Sequence, residues 1–135
     1  MIKKIFHKKK LLAMIIQEKK TFKKGVNFLT PNHLTLQLGF IKHKSNTYIK
    51  PHTHKNYLRR IKKTTEILFI KNGSIRVDFY SKKKYLFSKV VSRNKILILL
   101  EGSHGFKILK NCSIIEVKQG PFSLSMDKER FNKID

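Results

Sequence analysis

The chain has 135 residues, 31 Lys and Arg against 8 Asp and Glu, and a formal net charge of +23. At 40% apolar residues with ten Phe it is too hydrophobic for a disordered chain, and its length suits one two-layer domain rather than two. One cysteine, Cys112, excludes an internal disulfide framework and fits a reducing compartment, so a cytoplasmic location is expected.

Residues 1–10 read as a basic lead, a frayed helix or strand. The apolar run that follows, Leu11–Ile16, is too short for a secretory core or a bilayer span, and no other run reaches that length. Period-two alternation and β-branched runs then dominate, and long helical periodicity is scarce. The expected strands in chain order are Leu11–Ile16, Leu34–Lys42, Thr47–His54, Glu66–Lys71, Ser74–Tyr80, Tyr85–Val91, Lys95–Leu100, His104–Lys110 and Ser113–Lys118. Short strands at this spacing predict an all-β sandwich or barrel over 11–131, with 132–135 as a tail.

Asn72-Gly73 lies between two alternating runs, the strongest short-range signal for a type I′ hairpin. Such a turn pairs Ile70 with Ile75, Leu68 with Val77 and Glu66 with Phe79. Glu66 then ends an otherwise apolar, buried face, while Arg76 and Asp78 share the opposite one. A buried carboxylate requires a hydrogen bond, a cation or a metal. His52 and His54, in "PHTHK", occupy positions i and i+2, which point to one side of a strand. His104 follows an apolar strand and a glycine turn in "ILILLEGSHGF". His7, His33 and His43 have no such setting. Three imidazoles and a carboxylate form a common donor set for Fe, Mn, Ni, Co or Zn.

The order H-x-H, then Glu on a strand closed by a Gly, then a distant His, resembles the cupin superfamily. "FLTP", "LQLGF", "RVDFY", "GSHGF" and "EVKQGP" are similar to a small single-domain cupin group associated with polysaccharide biosynthesis. The resemblance spans roughly residues 11–131. It implies a jelly roll (double-stranded β-helix) in a single domain, a homodimer, and one divalent transition metal on His52, His54, Glu66 and His104, with Gly73 closing the first motif. It departs from the usual pattern in the eleven residues between His54 and Glu66, and in lacking Pro before and Asn after His104.

That extra segment carries Tyr57 and two adjacent arginines, Arg59 and Arg60, in a chain with only five Arg. It is expected to lie near the barrel mouth and contact an acidic ligand. Glu101, the one spare carboxylate near the site, reads as a turn residue or a general base; catalytic residues are otherwise unassigned. The expected function is binding of, or action on, a small anionic metabolite such as a carbohydrate or sugar-nucleotide intermediate. As an enzyme it would be a cupin-type isomerase, epimerase or dioxygenase. The alternatives are a non-catalytic ligand-binding or sensor cupin, and a basic protein that binds nucleic acid or membrane through its charge. The spread of lysines along the chain and the lack of any binding motif argue against specific nucleic-acid recognition.

Overall fold

The computed structural model describes residues 1–17 and 22–132. Every regular element is a strand: β1 Ile2–His7, β2 Lys10–Gln17, β3 Gly25–Phe28, β4 Gly39–Lys42, β5 Glu66–Ser81, β6 Lys84–Ser92, β7 Lys95–Leu99 and β8 Ser103–Lys118. Among the described residues no helix is long and apolar enough to cross a membrane. Contacts divide the chain into two compact units, one of residues 1–18 with 63–135 and the other of residues 19–62.

The first unit is a curled antiparallel sheet in the order β1-β2-β7-β5-β6, with β8 also on β5. Its organiser is β5. β8 runs along one side of it for its whole length, whereas the other side is shared. β7 pairs with Glu66–Ile70, and β6 pairs with Ser74–Ser81. The basic lead is not frayed: β1 pairs with β2 from Ile2↔Ile16 to His7↔Lys10, burying Ile5.

The expected hairpin at Asn72-Gly73 does not form, because β5 passes straight through it. The tight turn comes later, at Lys82 and Lys83, both at positive φ (48° and 66°). Asn72 and Gly73 instead make a crease. Ladder register slips between Ile70 and Asn72, and twice more before Ile75. Asn72 Oδ1 accepts hydrogen bonds from the Ser113 amide at 2.5 Å and hydroxyl at 3.0 Å. Gly73 has φ +72°, and a Cβ there would lie 2.2 Å from the Asn111 carbonyl oxygen. Arg93 N–H donates to Gly73 O and Asn94 N–H to Ile70 O, seating the β6–β7 turn on the crease.

The crease changes parity, which explains how the expected buried face survives without the hairpin. A regular strand would send residues 66, 68 and 70 to one face and 75, 77 and 79 to the other. An odd insertion restores them to a single face. Glu66, Leu68, Ile70, Ile75, Val77 and Phe79 are all buried, the last five in one core with Ile5, Leu12, Val91 and Leu97. Two expected strands, His104–Lys110 and Ser113–Lys118, likewise fuse into β8.

In the second unit β3 pairs with β4 from Gly25↔Lys42 to Phe28↔Gly39. The strand expected over Leu34–Lys42 shrinks to Gly39–Lys42, and β3 was not anticipated. Gln37 explains the shortening: its side-chain amide donates to Pro31 O at 3.0 Å and Leu34 O at 2.7 Å, satisfying loop carbonyls locally. Residues 43–62 contain no strand, so the one expected over Thr47–His54 is absent.

Candidate metal and ligand site

Curling of the first unit creates its site. Glu66 begins β5, opposite Leu99 and Lys118, while His104 lies near the start of β8, opposite Phe79. A straight strand would separate positions 66 and 79 by about 40 Å. Yet His104 Nε2 is 3.0 Å from Glu66 Oε2. The short link from Leu99 to Ser103 closes this gap, and it turns at Gly102, φ +78°, where a Cβ would come within 2.8 Å of Tyr80 O. The hydrogen bond with His104 is the main influence holding the Glu66 carboxyl below its ordinary pKa. Burial opposes that effect, and the charges of His104, Lys128 and Lys118 reinforce it.

Glu66 and His104 face a cavity of about 890 Å³ bounded entirely by residues of the first unit. Tyr80, Phe106 and Phe131 supply aromatic wall, and Tyr80 and Phe131 meet edge-to-face at 5.4 Å. Five of the six carboxylates among the described residues line it: Glu66, Asp78, Glu101, Asp127 and Glu129. Glu101 lies in the bend between β7 and β8, where the turn reading puts it, and pairs with Lys63; it shares the cavity with four other carboxylates. Asp78 is held by Arg76 at 2.8 and 2.9 Å and by the Ser88 hydroxyl. Asp127 pairs with Lys118 at 2.9 Å, and Glu129 with Lys83 at 2.5 Å. Sequence reasoning missed Asp78, Tyr80, Asp127 and Glu129. Only the scarcity of acids in the chain could have marked three of them.

The four expected metal ligands fall into two pairs, one in each unit. Glu66 and His104 meet in the first. In the second, His52 and His54 are exposed and outside any strand, so the period-two argument for their pairing does not apply. Their rings still come together, with centroids 5.2 Å apart and planes at 74°, and His52 Nδ1 lies 3.2 Å from Lys50 O. The Arg59 guanidinium stacks on Tyr57 at 3.7 Å, and both residues, like Arg60, are exposed. Lys63, at the end of the same segment, lines the cavity through its pairing with Glu101.

The Glu66–His104 pair fits two positions of a metal shell. Both are ordinary donors for a divalent transition metal. Their 3.0 Å separation is that of the direct hydrogen bond between them. Among the described residues no group of three or more His, Cys, Asp or Glu side chains is gathered around one point. Comparison with protein-family models, curated proteins and solved structures gave no match.

Proposed function

We propose that the chain is a metal-binding protein of the cupin type that binds, or acts on, a small anionic metabolite in the cavity beside Glu66 and His104, carbohydrate and sugar-nucleotide intermediates being the leading candidates. One observation carries the reading: a buried carboxylate and an imidazole, brought from distant points of the chain to 3.0 Å, open onto a cavity of small-molecule size. Glu66 and His104 would hold the ion; His52 and His54, the other members of the set expected from sequence, belong to the second unit. A divalent ion there would supply Lewis acidity toward a ligand oxygen. The protein's own groups do the rest. Lys128 and Arg130 on the wall offer positive charge to an anionic group, and Tyr80 and Phe131 offer apolar ring surface. Tyr57, Arg59 and Arg60 are the ligand contacts expected from sequence.

Metal analysis by mass spectrometry on protein purified without chelator tests this reading. About one equivalent of a divalent transition metal per chain is expected, lost in His104→Ala and Glu66→Gln and reduced in His52→Ala. A wild-type protein that holds no metal and gains none on titration overturns it. Calorimetric titration with sugar nucleotides then tests the ligand class. Binding without turnover assigns a ligand-binding module, and turnover assigns an enzyme.

A further inference from the structure

We propose that residues 43–62 are a docking surface for an anionic lipid bilayer. No Asp or Glu occurs between residues 19 and 65, so the second unit carries uncompensated positive charge. Within 43–62 the cations are Lys44, Lys50, Lys55, Arg59, Arg60 and Lys62, and every residue of the segment is exposed. The same segment presents five large apolar side chains within fourteen residues: Tyr48, Ile49, Tyr57, Leu58 and Ile61. Leu58 is 82% exposed and Tyr48 77%. Isolated apolar residues on a surface are ordinary, but a cluster interleaved with cations marks an interaction site.

Charge alone would suit any polyanion, and the apolar side chains decide between them. Ile49, Leu58 and Ile61 gain nothing from a phosphate backbone, whereas the boundary between head groups and acyl chains takes up such side chains beneath a ring of cations. Tyr48 and Tyr57 are of the type that settles at that depth. One face of the Tyr57 ring is already covered by the Arg59 guanidinium at 3.7 Å, which leaves it poorly placed to stack a nucleic-acid base. Each lysine near an anionic surface adds about fivefold to binding, and the attraction decays with salt.

Cosedimentation of the full chain with phosphatidylcholine vesicles, with and without about one-third phosphatidylserine, tests the proposal. Binding is expected to require phosphatidylserine and to weaken as salt rises. Lys50→Gln/Lys55→Gln should lower it at least about tenfold, and Leu58→Ser about tenfold through lost insertion. Lys107→Gln/Lys110→Gln removes the same charge from exposed positions on β8 and should change binding less than about twofold. None of these substitutions replaces a proposed metal or ligand contact, and metal content measured on each variant separates loss of metal from loss of docking. Equal losses in the two lysine pairs would reduce the effect to net charge and overturn the proposal. So would unchanged vesicle binding by Leu58→Ser, or single-stranded RNA bound more tightly than the vesicles at the same salt.

Discussion

Replacing Gly73 with Ala tests the crease in β5 on which the site depends. The backbone there is left-handed, φ +72°, which costs a residue with a Cβ about 1–2 kcal/mol. The new methyl would also lie 2.2 Å from Asn111 O and 2.7 Å from Cys112 Cβ. The first of these is backbone of β8, so relief requires the strand to move and weakens the ladder that Asn72 and Ser113 maintain. With one or two hydrogen bonds distorted at about 1 kcal/mol each, the total loss is about 3 kcal/mol or more. Urea unfolding followed by circular dichroism is the assay, since the chain has no Trp. With a slope near 1.5 kcal/mol per molar, the midpoint should fall by about 2 M. If Gly73 instead sat at the tip of a hairpin, its Cβ would meet solvent and only the left-handed cost would remain. A loss of about 2 kcal/mol or less, with the slope unchanged, refutes the crease. Asn72→Ala is the milder companion, expected to cost about 1 kcal/mol by leaving the Ser113 amide without its acceptor.

The true turn makes the opposite prediction: Lys82→Gly, at φ 48°, should leave stability unchanged or raise it by up to about 1 kcal/mol, and a clear loss would move the turn elsewhere. Val77 is fully buried, so Val77→Ala should cost about 1–3 kcal/mol in the same unfolding assay, and an effect near zero would put Val77 on the outer face. The Asp127 carboxyl is held below its ordinary value of 3.8, chiefly by its hydrogen bond with Lys118. Its contribution is therefore fully present above pH 3.8 and lost as pH falls through the lowered folded value. Asp127→Asn should make the acid limb of the stability curve shallower, and an unchanged limb would show that the pair does not form in solution.

Much of the first unit was legible because its strands are half-buried and alternate. The expected strands over 11–16, 85–91 and 95–100 correspond to β2, β6 and β7. The joining of strands was not legible. Asn-Gly is favoured in a I′ turn, but it is equally suited to a bulge that needs a left-handed glycine and a short hydrogen-bonding side chain. What separates the two is the partner: Asn111–Ser113 lies across the crease, forty residues away. Glu66 and His104 were found because a carboxylate ending an apolar face and a histidine after a glycine turn are local signals. The pairs that join distant elements around them, such as Lys118 with Asp127 and Lys83 with Glu129, carry no local pattern. His52 and His54 show the converse: their expected projection from one strand face rested on a strand that is not there, and their rings meet edge-on in a strand-free segment.

The carboxylates around the cavity explain what the high positive charge obscures. A chain with about four cations for every acid can place a lysine almost anywhere by composition, so lysines carry little information. Carboxylates are scarce, and among the described residues five of six border one cavity, Glu66 against the His104 imidazole and the others against Arg76, Lys63, Lys118 and Lys83. Pairs as exposed as Lys83–Glu129 contribute about 0–1 kcal/mol, too little to account for the fold. What they can do is fix position. Glu101 ties the β7–β8 link to Lys63 at the start of the unit's long segment, Asp127 ties the C-terminal segment to β8, and Glu129 ties that segment to the β5–β6 turn. The wall is thereby assembled from four separate parts of the chain. Glu66 and His104 differ from the other pairs described: both partners are metal-donor types, and the carboxylate is buried. Three pairs tie separate parts of the wall together, Arg76–Asp78 lies within β5, and Glu66–His104 sets two metal-donor types side by side.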